Sequence, residues 1–248
     1  MWTILLSALI QPLSGQSENR ISCVAFVSGD SIMLRWVPVS LPVWQSGLEH
    51  GYIIKKYIIS RGGEYITDGL SNGKLLTPSP VRHAAAEQFD LLASSDPRVG
   101  VVQEAIYGSD FRQPEDNFAA FRKSYEELEV RLGFALFMCD MSYKIADAAG
   151  LYFSDKGIMS GERYVYSISL ANTPDEIKVD PAVIVVDADE RTVLPAVTDI
   201  QAIFIDSAAR FRWPVYFFKG VYSAYVIEKS IDGNEFKPIS ELPLVNFS

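Results

Sequence analysis

The 248-residue chain has two histidines, two cysteines and no second long apolar run after its first thirteen residues. Each scarcity removes a class of function. With only His50 and His83, a Ser-His-Asp or Cys-His site is short of bases, and a zinc site is short of ligands. The two are not at i, i+4 spacing, which excludes a zinc-protease helix. His50 reads as a loop residue before Gly51-Tyr52, and His83 as lying near a helix start. Cys23 and Cys139 are too few for a disulfide framework. Neither a glycine-rich dinucleotide fingerprint nor a phosphate-binding P-loop occurs, so nucleotide binding has no support. Acidic residues outnumber basic ones, 31 to 22, for a formal charge of −9. Such a chain repels a phosphate backbone, and nucleic acid is not an expected partner.

The early apolar run, Met1 to Leu13, is too short to span a bilayer, which needs about 20 residues. It matches the apolar region of a secretory signal followed by small and polar Ser14, Gly15, Gln16 and Ser17. Cleavage after Ser17 puts Ser17 at −1 and Gly15 at −3. The run lacks the usual Lys or Arg ahead of it, and a first core strand or a late start codon are the alternatives. No transmembrane span is expected. Cys23 is not a lipid acceptor, because Arg20, Ile21 and Ser22 precede it and the apolar run ends well upstream. An exported compartment permits a Cys23–Cys139 disulfide, but nothing fixes these two as neighbours, so buried free thiols are expected.

Three kinds of sequence follow. Residues 20–78 read as strands. Ile32, Leu34 and Trp36 alternate with Ser31, Met33 and Arg35, the period of a strand with one face on a core. Pro38 ends it. A loop with Pro42, Trp44 and Gly47 is expected next, then a β-rich run from Gly51 to Ile59. Gly62-Gly63 and Asn72-Gly73 are turn signals.

Residues 80–150 change to a helical period. A short helix is expected near Val81–Ala93. Asp96-Pro97 reads as the start of another, with Gly108 as its stop. Pro114 opens a long helix with Glu115 and Asp116 in its first turn. Phe118, Phe121, Tyr125, Leu128, Leu132, Leu136, Cys139 and Tyr143 make one apolar stripe. Phe134, Phe137, Met138 and Met141 add a second face, so the later half should be buried on two sides. Gly150 is the expected stop.

Strands then return. Tyr164, Tyr166, Ile168 and Leu170 alternate with polar or small residues, and Ala182–Val186 is a continuous apolar run. Beyond Pro195, Val197–Ile205, Ala209–Pro214 and Tyr222–Ser230 read as three strands, with Asp232-Gly233 as a hairpin turn.

Two segments echo each other. Leu34-Arg35-Trp36-Val37-Pro38 precedes Tyr52-Ile53-Ile54-Lys55, and Phe211-Arg212-Trp213-Pro214 precedes Tyr225-Val226-Ile227-Glu228. With Ile158-Met159-Ser160-Gly161-Glu162-Arg163-Tyr164, the chain resembles tandem fibronectin type III domains of secreted bacterial multidomain proteins. In that family a Trp on the second strand packs between two sheets, and the later motif forms a tyrosine corner. Ser160 replaces the family's usual proline. Leu34 and Tyr166 occupy positions where an antibody-type domain carries cysteines. The resemblance implies an immunoglobulin-like β-sandwich over 18–192, mostly β with a helical insertion at about 80–153. A second, incomplete sandwich over 194–248 would have an open core and unpaired edges, which marks the chain as a piece of a longer exported protein.

No catalytic, cofactor-binding or metal-ligating residues are expected, and no binding residues can be assigned. Glu126, Glu127 and Glu129 read as the solvated face of the long helix. Asp187 and Asp189 lie at a strand end and lack the glycine and terminal Glu of a calcium loop. Trp44 is either a stacking platform for sugar or peptide or a plug over one end of the sandwich, and burial favours the plug.

The expected function is a non-enzymatic interaction, adhesion or scaffold module. It would be secreted, at the cell surface or periplasmic, and would bind protein or polysaccharide beside further domains of its own chain. The helical insertion would present the specific surface. The alternative is an accessory region of a secreted hydrolase, carbohydrate-active for example, with its catalytic domain beyond Ser248. A weaker third reading is a small-ligand pocket between sandwich and insertion.

Overall fold

The computed structural model describes residues 18–108, 118–173, 177–191, 195–218, 221–222, 224–240 and 242–245, with side chains of the long helix from 122 onward. The chain divides into two compact units, Met1–Thr192 and Val193–Ser248. It is mixed α and β, about 34% strand and 28% helix.

In the first unit the period-two segments become strands. β1 (Ile21–Ser28) pairs antiparallel with β2 (Ser31–Pro38). Ile32, Leu34 and Trp36 of β2 are fully buried. The stretch expected as a loop is instead helix α1 (Leu41–His50). Pro42 sits in its first turn, where a missing N–H costs nothing, and Leu41, Val43 and Trp44 turn inward.

β3 (Tyr52–Arg61) follows, and Gly62-Gly63 turns it into β4 (Glu64–Tyr65). Both glycines have positive φ, 59° and 86°, as a two-residue hairpin turn requires. β5 (Lys74–Leu75) also pairs with β3.

The helical stretch comes next, with α2 (Ala86–Ala93), α3 (Val99–Tyr107), α4 (Phe118–Met141) and α5 (Tyr143–Ala148). α3 does not start at Asp96-Pro97 as expected. The Asp96 carboxylate accepts the Arg98 backbone N–H at 3.1 Å and pairs with the Arg98 guanidinium at 2.7 Å, and the helix starts later, at Val99. Gly108 ends it, its N–H donating to Glu104 O. The Pro114–Asp116 start assigned to α4 lies outside the described residues, as do the side chains of Phe118 and Phe121.

Leu132, Ala135 and Cys139 face the core. The second apolar face is only partly covered: Phe134 is 56% exposed, and Phe137, Met138 and Met141 are half-buried. Tyr143 is not on the α4 stripe either. The helix breaks at Ser142, whose extended backbone makes it the N-cap of α5, and Tyr143 is left exposed. Arg35 fastens the end of α4 to β2, reaching Asp140 Oδ1 at 3.1 Å and Leu136 O at 3.4 Å.

Gly150, the expected stop, does end α5. Its φ is +69°, and a Cβ there would lie 2.5 Å from the Arg82 carbonyl carbon and 2.6 Å from the His83 nitrogen. Both the conformation and the close approach need glycine. Gly150→Ala is expected to cost at least about 2 kcal/mol, read as a lowered midpoint in urea unfolding.

β6 (Tyr152–Asp155), β7 (Glu162–Leu170) and β8 (Ala182–Asp187) complete the unit. Two antiparallel arrays result: β1-β2-β6, and β4-β3-β7-β8 with β5 on β3. Trp36 meets Tyr52 edge to face at 5.6 Å, so a side chain from each array joins the same cluster. Tyr164, Tyr166 and Ile168 are fully buried, as their alternation predicts. The Tyr164 hydroxyl accepts the Met159 N–H at 2.7 Å, the corner contact expected from that motif. In β8 only alternate residues are buried, and Val183 and Val185 stay exposed.

The second unit contains β9 (Gln201–Ile205), β10 (Ala208–Arg212), a 3₁₀ turn at Val215–Phe218, β11 (Ala224–Tyr225), β12 (Glu228–Lys229), β13 (Lys237–Pro238) and β14 (Leu244–Val245). β9 is shorter than the expected Val197–Ile205, and Asp199 ahead of it has φ +57°, which interrupts an extended run. The expected strand Tyr222–Ser230 splits because its two halves have different partners: β11 pairs with β14 and β12 with β13. The Asp232-Gly233 turn lies in the β12–β13 connection, where Asp232 accepts the Asn234 N–H at 2.9 Å. Trp213 meets Tyr225 edge to face at 5.3 Å beside a hollow of about 380 Å³. Phe204, Phe217 and Ile231 are exposed.

Candidate functional site

The residues weighed from sequence are mostly engaged in structure. Trp44 is buried in α1 at 3% exposure, so it offers no stacking platform. Asp189 accepts the Ser160 hydroxyl at 2.7 Å and the Gly161 N–H at 2.8 Å, and Asp187 faces Arg163 at 3.4 Å. Asp189 therefore serves the turn before β7, and Asp187 a cross-strand pair between β8 and β7. Glu126 pairs with Arg122 one helical turn away on the solvated face of α4. His50 ends α1 beside Glu49, and the His83 ring packs edge to face on Tyr107 at 5.3 Å. Cys23 and Cys139 are free thiols, as expected, and burial pushes both up to about 12, which makes them unreactive. Among the described residues no group of three or more His, Cys, Asp or Glu is placed to hold a metal.

A buried ionic cluster lies at the β3–β6–β7 junction. Lys56 Nζ is 2.7 Å from Asp155 Oδ2, donates to Gly157 O at 2.8 Å and sits 4.0 Å from the Tyr164 ring centroid. Tyr166 donates to the same carboxylate at 2.7 Å. Beside it Tyr164 donates to Glu162 at 2.6 Å, and Arg61 closes on the other Glu162 oxygen at 2.7 Å. Burial alone would raise the Asp155 carboxyl, but hydrogen bonds from Lys56, Tyr166 and the Gly157 N–H hold it below the usual range. For Glu162 burial is likewise outweighed, by Tyr164 and Arg61. Burial and the carboxylate partners push both tyrosines up, so they remain donors. Every charge here has a partner and only Arg61 reaches solvent, so the cluster's role is to join strands.

The open site is a groove of about 780 Å³ between α2, α5 and β6. Its walls are apolar: Val81, Ala84, Leu91, Leu92, Ala148 and Phe153. Leu91 is 74% and Tyr143 62% exposed at the rim, with Tyr143 tilted against Tyr152 at 5.9 Å. Arg82, Lys144 and Asp147 add charge. Among the described residues neither cation has an ion-pair partner, and burial raises the Asp147 carboxyl. The fold builds this wall locally: Ala84 N–H donates to Ala148 O at 2.7 Å, and Leu91 and Leu92 come to the groove on α2.

Sequence reading missed these residues. The spacing places Tyr143 on the core stripe of α4. The strand 152–155 is only four residues long, too short for its alternation to stand out between Gly150 and Gly157. Arg82 and Lys144 lie 62 positions apart and no motif links them. No family model matches the chain, and no curated protein or solved structure matches it.

Proposed function

We propose that the chain is a non-catalytic interaction module of an exported protein, and that the groove between α2, α5 and β6 holds a partner protein. The observation that carries this reading is the groove itself: a concave, mostly apolar surface with a few polar groups unused by the fold, the usual form of a recognition site. Aliphatic walls suit an apolar side chain better than a sugar. A protein partner is therefore favoured over polysaccharide. The arrays β1-β2-β6 and β4-β3-β7-β8, with the Tyr164–Met159 contact, support a fibronectin type III-like framework for the first unit. On that framework the helices between β5 and β6 are the added part, and the groove lies where they return to the strands. The early apolar run supports export. Fold does not dictate function, so the site carries the argument.

The test uses peptides selected from a random displayed library on the intact chain, and two variants of exposed residues, Leu91→Asp and Tyr143→Ala. Each is expected to change stability by no more than about 0.5 kcal/mol and to weaken peptide binding by about tenfold or more. Equal binding by wild type and both variants would remove the groove as the site. Retention of soluble polysaccharide with no peptide selected would contradict the protein-partner reading.

A further inference from the structure

The lowest wall of the groove is a strand edge. Among the described residues β6 pairs with β2 alone, in the order β1-β2-β6. In the register Ile32↔Asp155, Leu34↔Phe153, with Trp36 N–H donating to Leu151 O at 3.2 Å, the even residues of β2 bond to β6. The odd ones bond to β1, as the Val39 N–H to Arg20 O bond shows. Antiparallel pairing alternates these directions. Phe153 and Asp155 thus spend their backbone groups on β2, and the N–H and C=O of Tyr152 and Ser154 point out from the free edge. Among the described residues no other backbone group bonds to them. Tyr152, Phe153 and Ser154 all line the groove. Tyr152–Asp155 carry none of the lysines or prolines that commonly block such edges, and Lys156 follows only after the strand.

We infer that β6 accepts an extended segment of a partner protein as an added strand, and that this segment carries an apolar side chain next to an acidic one. The proposal rests on the groove being the partner site. Main-chain bonds to Tyr152 and Ser154 supply the pairing, and the walls supply pockets for alternate side chains. The apolar side chain packs between Leu91, Leu92 and Phe153. The acidic one faces Arg82 and Lys144, two cations against the single carboxylate of Asp147 in a chain of net charge −9. A helix in the groove would leave the two outward N–H groups without partners, which disfavours it.

The experiment takes the peptide selected on the intact chain and methylates its backbone amides one at a time. Binding should fall about tenfold at alternate positions and hold within about threefold between them. Ser154→Pro removes one outward N–H and no bond to β2, and proline is tolerated on a strand edge. It should cause a similar loss with the unfolding midpoint unchanged. If Ser154→Pro fails to fold, the methylation period alone decides. Replacing the acidic residue of the peptide by its amide should weaken binding and flatten its salt dependence.

Uniform tolerance of methylation, together with wild-type binding by Ser154→Pro, would overturn strand addition. The groove reading would survive that result if Leu91→Asp still weakened binding, and both would fall if it did not. Selection of basic peptides would overturn the charge assignment. A chain that dimerises, and whose Ser154→Pro variant is monomeric, would make a second copy the occupant and overturn the partner segment.

Discussion

Asp155→Ala is expected to destabilise the first unit by about 3–5 kcal/mol, because it strips the carboxylate from a lysine that is itself buried. Lys56 is 7% and Asp155 6% exposed, and Lys56 would keep the Gly157 carbonyl and the Tyr164 and Tyr166 rings as partners. Tyr166 would lose its acceptor as well. Lys56→Met is expected to cost a similar amount by stranding the carboxylate. The double variant Lys56→Met/Asp155→Leu should cost much less than the sum, since apolar groups of similar volume satisfy the same space. Urea unfolding of the four proteins gives this cycle. Additive single effects would mean that the pair is not coupled.

The same cluster sets an acid limit. The Asp155 and Glu162 carboxyls are held below their usual values in the folded chain, so folding favours their charged forms. That stability is fully present above about pH 4, the range of free carboxyls, and is lost as pH falls through the folded values. Unfolding midpoints should therefore drop steeply below about pH 4. In the double variant, only the part due to Glu162 should remain.

Trp36→Ala is the second large effect expected, about 3–5 kcal/mol for an indole removed from a filled core. Trp36 is fully buried in β2, with Ile32 and Leu34 on the same face, and contacts Tyr52 from the other array. The cavity cannot close without moving strands paired along their length. Trp213→Ala is expected to cost far less, because Trp213 lines an open hollow in the second unit. The difference between the two tryptophans, read as the drop in midpoint for each variant, tests whether the repeated Trp-then-Tyr pattern marks a closed core in one unit and an open one in the other.

The core of the first unit was visible in the alternation of residues. The inward faces of β2 and β7 follow directly from Ile32, Leu34, Trp36 and from Tyr164, Tyr166, Ile168, because a period of two has one meaning in a half-buried strand. Gly62-Gly63 and Gly150 marked a turn and a stop because their positive φ is a local requirement. What failed depended on tertiary contacts. α1 was hidden because Pro42, Trp44 and Gly47 read as loop residues. Phe134 and Tyr143 were placed in the core by spacing, yet spacing does not say which side of a helix has a neighbour. The groove was invisible for the same reason: it is made where residues 81–92, 143–148 and 152–154 meet, and only Leu91, Leu92 and the aromatics hint at an apolar surface.

Hydrogen–deuterium exchange of the intact chain, with and without a selected peptide, tests the central claim most directly. Free chain is expected to exchange quickly at the outward amides of Tyr152 and Ser154, and peptide to slow both together with amides of α2 and α5. Protection confined to the second unit, or none in 81–92 and 143–154, would contradict it.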